Sequence, residues 1–311
     1  MLDVGRALKQ PAALDIDGLS ALPRLLGDSL SGDWRPLIDG WDELRDPLAE
    51  LLERTGNGDL GGALHELDDD VLAAPLPSPT SRIFALGGNF DKHIQDASRV
   101  ALGIDDDLSA ALARRRAQGP WGFIVLPDTL AGPGTEIRAP EGIQKVDYEG
   151  EVAVILGAGG RALDAAELQV WGFSAFNDFS LRDTAFQLGE PYDAGPMAWS
   201  LQKNFDTGSS IGPWVVVDEP FDVDQIDISL RVNGELRQRG NTKEMIFTFG
   251  ETFEHLSRFL TLKSGDILAS GTPSGTALET GLDGPFLDVG DVTELEVEGV
   301  GVLRNVVAAS V

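Results

Sequence analysis

The chain reads as an α+β protein that is mostly β, with a large β domain over residues 80–311 behind a small N-terminal domain of residues 1–79. Three observations carry this. Ile226, Ile228, Leu230 and Val232 alternate with Asp227, Ser229 and Arg231, the period of a half-buried strand, and Asn233-Gly234 follows as a two-residue hairpin turn. Residues 152–156 and 170–176 are short, mostly apolar runs of strand length. Pro75, Pro77 and Pro79 alternate with other residues over 73–80, an extended linker that sets the domain boundary.

In chain order, Leu19, Leu22, Leu25 and Leu26 suggest a short helix, and Leu44, Leu48, Leu51 and Leu52 give residues 41–54 a helical stripe with Pro47 in its first turn. Both stripes read as core of a helical or α/β domain. Asp68-Asp69-Asp70 reads as a solvated loop or helix start. Residues 82–86 read as a strand that leaves through Gly87-Gly88. A short helix follows, with acids at Asp105-Asp106-Asp107 and arginines at its far end, as the helix dipole favours. Residues 121–126 form a strand ending at Pro127, and residues 128–137 a turn region. Residues 188–200, broken by Gly189, Pro191, Gly195 and Pro196, are irregular. Beyond the 226–238 hairpin come a helix at 248–259, a turn and strand at 262–270, a glycine-rich loop at 271–275 and an alternating strand at 290–298.

A chain of 311 residues can bury a substantial core. No apolar run approaches the ~20 residues of a membrane span, and Met1-Leu2-Asp3-Val4-Gly5-Arg6 carries no secretory signal, so no membrane partner is expected. The net charge of −27 repels phosphates and argues against nucleic acid or an anionic membrane as partner. The absence of cysteine excludes disulfides, thiolate ligands and thiol nucleophiles, which fits a cytoplasmic location.

The chemistry-bearing residues are carboxylates. Glu149 and Glu151 lie two apart at the start of a strand that otherwise reads as buried, so they share a face. Two like charges there lose hydration and repel, which a cation between them relieves; alone, Glu-x-Glu reads more simply as an exposed strand end. Asp178, at the end of the next strand, brings a third carboxylate within a short crossover, although it also suits a helix N-cap. Three carboxylates with no histidine among them suit a hard ion, Mg²⁺ or Mn²⁺. His93 and Asp96, three apart, share a face if the segment is helical, so the aspartate can orient the imidazole.

These segments, with Asn177-Asp178-Phe179-Ser180-Leu181-Arg182-Asp183, Lys203-Asn204-Phe205-Asp206-Thr207, Val232-Asn233-Gly234-Glu235, Gly240-Asn241-Thr242, Ser264-Gly265-Asp266-Ile267 and Gly271-Thr272-Pro273-Ser274-Gly275, resemble the fumarylacetoacetate hydrolase family in kind and order. The resemblance runs from about Arg82 to the C-terminus. It implies a mixed β-roll catalytic domain, a homodimer, and a metal held by Glu149, Glu151 and Asp178. It further implies His93 oriented by Asp96 as a base, Lys203 as a catalytic cation, and Arg182, Gly271, Thr272 and Gln238 around the substrate. The activity implied is metal-dependent hydrolysis of a carbon–carbon bond in a β-diketone or acylpyruvate-like 2-oxo acid. Decarboxylation, isomerisation or dehydration on the same site, and non-catalytic ligand binding, are the alternatives. Asp96 stands where the family has glutamate, Leu126 where many relatives have lysine, and Ala185 where a glutamine is common. The last two imply a more apolar or bulkier substrate.

Overall fold

The computed structural model describes residues 33–56, 72–95, 107–185, 197, 200–217 and 221–310. The leucine stripe at 19–26, the run Asp68-Asp69-Asp70, Asp105, Asp106, Asp96 and nearly all of 188–200 lie outside them. The chain divides into two compact units, Met1–Val71 with Pro77–Pro79, and Leu72–Leu76 with Thr80–Val311.

In the first unit α1 (Arg35–Asp39) and α2 (Trp41–Gly56) bury Ile38, Leu44 and Leu51. Pro47 lies inside α2, not in its first turn as the sequence suggests. The helix begins at Trp41, where Asp42 and Glu43 suit its N-terminal turn. Pro47 is itself buried on the stripe between Leu44 and Leu51, so apolar burial offsets the backbone hydrogen bond it cannot make.

The second unit is mostly β. Its strands are β1 (Ile83–Leu86), β2 (Gly122–Val125), β3 (Leu130–Ala131), β4 (Glu136–Arg138), β5 (Val146–Asp147), β6 (Gly150–Leu156), β7 (Val170–Asp178), β8 (Ser180–Leu181), β9 (Ser209–Val217), β10 (Asp227–Val232), β11 (Glu235–Asn241), β12 (Ile267–Ala269), β13 (Val292–Val297) and β14 (Gly301–Ala308). A seven-stranded mixed sheet runs β2-β1-β12-β6-β7-β9-β3, a five-stranded sheet runs β11-β10-β13-β14-β4, and β5 pairs with β8. The β10–β11 hairpin turns at Asn233 and Gly234, both with positive φ (52° and 79°), which these two residue types tolerate. Helix α3 (Leu108–Gln118) is capped by Asp107; α4 (Arg182–Ala185) follows β8; α5 (Phe249–Ser257) starts in a capping box of Thr248 and Glu251. Among the described residues no helix is long and apolar enough to cross a membrane.

The core lies between the two large sheets. On β6, Val152, Val154 and Leu156 point one way, Ala175 and Phe173 stand opposite the first two on β7, and Leu230, Leu295 and Leu303 of the five-stranded sheet join the same buried cluster. Alternation therefore sends the odd-numbered residues of β6 to the other face. The register Gly150↔Asn177 and Glu151↔Phe176 continues to Glu149, whose carbonyl accepts from the Asp178 amide at 2.9 Å. Glu149, Glu151 and Asp178 thus emerge together on the face away from this core. The strand does not begin at Glu149, where the sequence places its start, but at Gly150. Strand structure breaks at Tyr148-Glu149, because the Asp147 side chain takes the Tyr148 amide (2.9 Å) and the backbone turns from β5 into β6.

Candidate active site

Glu149, Glu151 and Asp178 are buried, and each offers an oxygen within 4.8 Å of the others. Lys203 Nζ donates to Glu149 Oε2 (2.7 Å) and to Asp178 Oδ2 (2.6 Å). The lysine stands on a turn after residues 200–201 that Asn204 ties to the β2 edge, accepting from the Leu126 amide and donating to the carbonyls of Ile124 and Ser200. Phe123, half-buried on β2, lies with its ring centroid 5.4 Å from Nζ. Arg182 Nε donates to Asp147 Oδ2 (2.9 Å) and Nη2 to Glu149 Oε1 (2.5 Å). Ser209 Oγ donates to Asp178 Oδ1 at 3.2 Å. Four buried carboxylates (Asp147, Glu149, Glu151, Asp178) therefore face two buried cations (Arg182, Lys203), two positive charges short of balance.

Proton affinities follow from this imbalance. Burial works against ionised Glu149, but Lys203, Arg182 and His93 outweigh it and pull its carboxyl down to about 2. Glu151 has no ion pair of its own: burial and the charges of Asp178 and Glu149 push it well above the usual carboxylate range, with Lys203 and the Gly271 amide opposing. Asp178 is raised to about 6 by burial and by Glu149, with Lys203 opposing. Burial would lower Lys203 and Arg182, yet the carboxylates around each hold both above their ordinary values.

Glu151 shows that the site suits a cation. Its Oε2 accepts from the Gly271 amide at 3.0 Å, which fixes the carboxylate, while Oε1 is buried with no hydrogen-bond partner. An unpartnered carboxylate oxygen in the interior is costly. Three buried carboxylates with one oxygen unclaimed can hold a cation.

His93 belongs to the same cluster, since the charges of Glu149 and Arg182 both act on its proton affinity. It sits on a helical turn at 91–95 after β1. Asn89 pins the entry to that turn, donating to the carbonyls of Phe247 and Ser270 and accepting from the Phe247 amide. Its orienting partner is a residue the sequence does not suggest. His93 Nδ1 lies 2.5 Å from Glu279 Oε1, and both side chains are about nine-tenths buried (10% and 9% exposed). Burial favours the neutral ring, but the hydrogen bond and charge of Glu279, with Glu149, prevail and raise the His93 pKa. Glu279 stands on the 3₁₀ turn Ala277–Thr280, whose first amides, of Ala277 and Leu278, are held by the Asp147 carboxylate at 2.8 and 3.2 Å. Its Oε2 accepts from the Gly275 amide (2.8 Å). Gly275 has φ of 115° and passes so close to the Arg237 carbonyl that a Cβ would lie 2.0 Å from it, so only glycine reaches this position unstrained. Asp147 thus links the two halves of the site, bonding to Arg182 on one side and to the Glu279 turn on the other.

Gln238 and Thr272, expected at the substrate, are engaged elsewhere in this structure. Gln238 Oε1 accepts from the Gly150 amide (2.9 Å), and its Nε2 donates to Thr272 Oγ1 (2.7 Å) and the Pro273 carbonyl. Thr272 Oγ1 donates to the Gly150 carbonyl (3.0 Å). Both are buried, and Gln238 as acceptor with Thr272 as donor fixes Gly150 between the two glutamates. Arg182 likewise spends its charge on Asp147 and Glu149. Asp96 lies outside the described residues. Asp147 has a sequence signal, as the first acid of the alternating set Asp147, Glu149, Glu151; Glu279, 186 residues from His93, has none.

Residues 82–308 match the family described as fumarylacetoacetate (FAA) hydrolase C-terminal. The chain is 32% identical over 266 residues to the oxaloacetate tautomerase YisK of Bacillus subtilis, covering 83% of this chain and 79% of that protein. It resembles the solved structure of fumarylacetoacetate hydrolase from Exiguobacterium antarcticum (TM-score 0.61, 30% identity, 80% of this chain and 85% of that one). It also resembles that of 5-carboxymethyl-2-hydroxymuconate delta-isomerase from Mycobacterium smegmatis (TM-score 0.58, 27% identity, 76% and 80%).

Proposed function

As the chain belongs to the fumarylacetoacetate hydrolase family, we propose that it is a divalent-metal-dependent enzyme that moves a proton beside the keto group of a small 2-oxo acid, interconverting keto and enol forms or positional isomers. The observation that carries this reading is the His93–Glu279 pair set beside a buried carboxylate triad. The tautomerase and isomerase relatives support it. Glu149, Glu151 and Asp178 would hold Mg²⁺ or Mn²⁺, which when bound supplies a Lewis acid for a carbonyl oxygen. With Nδ1 committed to Glu279, His93 exchanges protons through Nε2 alone, taking one from the carbon beside the carbonyl and returning it to the carbonyl oxygen or, in a positional isomerisation, to the far carbon of the conjugated enolate. The Lys203 ammonium donates to the oxygen on which negative charge develops. Arg182, Gly271, Gln238 and Thr272 keep the glutamates in place, and the same buried setting keeps bulk water from the enolate.

A second reading is hydrolysis of a carbon–carbon bond. The specific observation in its favour is the same histidine, because an imidazole fixed at Nδ1 by a carboxylate also activates a water. One experiment separates the two. Metal-free protein is supplied with Mg²⁺ or Mn²⁺, and oxaloacetate enol–keto interconversion is followed beside release of pyruvate from a set of acylpyruvates. Metal-dependent interconversion, abolished by EDTA and without pyruvate release, supports the first reading; pyruvate release supports the second. No metal-dependent turnover of either kind would sink both.

A further inference from the structure

We infer that Lys203 is a tethered stand-in cation that metal binding displaces, so that its ammonium is free for substrate only when the triad is loaded. This rests on the reading of the triad as a metal centre and adds a control built into it. All four oxygens of Glu149 and Asp178 already have a partner: Arg182 and Lys203 on Glu149, Ser209 and Lys203 on Asp178. Only Glu151 Oε1 is unclaimed. Lys203 therefore draws together, through one Nζ, two of the three carboxylates that a divalent ion needs.

A divalent ion on the same three carboxylates and an ammonium 2.6–2.7 Å from two of them are like charges on shared ligands in a buried site. Their repulsion is poorly screened there, so each cation weakens the hold of the other. The coupling is reciprocal. Metal loosens Lys203, and Lys203 lowers metal affinity. Without metal the lysine keeps the triad from repelling itself apart. With metal the ammonium must leave at least one carboxylate, and Phe123, 5.4 Å from Nζ, offers an aromatic face beside which the cation can rest. The lysine that would stabilise negative charge on substrate is thereby withheld from the empty site.

The test compares wild type with Lys203→Met, which keeps an unbranched side chain one atom shorter and removes the charge. Calorimetric titration with Mg²⁺ or Mn²⁺ alone should show tighter binding to the variant, by roughly 5- to 150-fold, the usual size of coupling between two sites. The melting temperature of the metal-free variant should fall, and metal should raise it by more than it raises that of wild type. Equal or weaker metal binding by the variant overturns the inference while leaving the metal centre standing. Wild type that binds neither metal refutes the metal centre itself. If the variant does not fold, the wild-type protein still answers. The Lys203 ammonium, held in a buried double ion pair, should give a slowly exchanging ¹⁵Nζ resonance that shifts or is lost as metal is added. A resonance unchanged at saturating metal means that the lysine is not displaced.

Discussion

Replacing Glu279 with glutamine tests whether this glutamate sets the orientation and proton affinity of His93. The carboxylate serves two donors, His93 Nδ1 at 2.5 Å through Oε1 and the Gly275 amide at 2.8 Å through Oε2. Glutamine has the same shape but only one accepting oxygen. Its amide NH₂ must face either Nδ1–H or Gly275 N–H, and one buried donor is left unpaired. A lost buried hydrogen bond of this kind costs about 1–3 kcal/mol. Expressed in the transition state, that is a fall of roughly 5- to 150-fold in kcat, at 1.4 kcal/mol for each factor of ten. The sign of the pH effect also follows. Glu279 raises the His93 pKa against burial, and the neutral ring that accepts a proton exists above that pKa. Without the carboxylate, burial dominates and the pKa falls, so the acidic limb of the rate profile moves to lower pH while the maximum drops. Asp96→Asn serves as the comparison. An unmoved acidic limb in Glu279→Gln, or the full effect in Asp96→Asn alone, would refute the assignment of Glu279.

Other outcomes follow from the same contacts. His93→Ala should lower turnover by roughly 10²- to 10⁴-fold, the usual worth of a positioned base, with metal affinity kept; calorimetry beside kinetics checks both, and full activity would remove His93 from the mechanism. Arg182→Leu leaves Asp147 buried without its cation and Glu149 with Lys203 alone and should destabilise the fold by about 3–5 kcal/mol, read from urea unfolding; a loss near zero would mean the cluster is solvated. Metal-free protein should lose stability as pH rises from about 4 to about 6. Asp178 has its folded pKa raised from 3.8 to about 6, so the unfolded chain ionises first and is favoured across that window. Thermal melts with and without Mg²⁺ test this, and stability that rises through the window without metal would contradict it.

The parts of the molecule that are periodic are legible in the sequence. That Glu149, Glu151 and Asp178 come together is legible because two glutamates two apart, and an aspartate ending the next strand, need little more than alternation and antiparallel pairing to meet. The Asn233-Gly234 hairpin and the helix behind Thr248 follow from local turn and cap chemistry. Strands β9 and β14 have no counterpart in the sequence reading. The pattern of β9 is interrupted by Gly212-Pro213, and β14 carries Arg304 and Asn305 in its middle, with Asn305 buried because it bonds to Ser210 and to the carbonyls of Gly132 and Thr135. Only the tertiary partners make those residues strand-compatible. For the same reason Glu279 is invisible, since nothing local distinguishes it until the loop through Gly275 brings it to a histidine far away in sequence. Thr272 falls in a motif and Gln238 between two of them, where the resemblance suggests substrate, whereas the hydrogen-bond pairing that occupies them joins strands of the two sheets.

The central claim is that Glu149, Glu151 and Asp178 form a divalent-metal site. Titration calorimetry with Mg²⁺ and Mn²⁺ on metal-free wild type and on Glu149→Ala, Glu151→Ala and Asp178→Ala tests it most directly. Saturable binding of one ion per chain that weakens in each variant is the predicted result, because each substitution removes one negative oxygen ligand from a hard ion. Affinity unchanged in all three variants would contradict it.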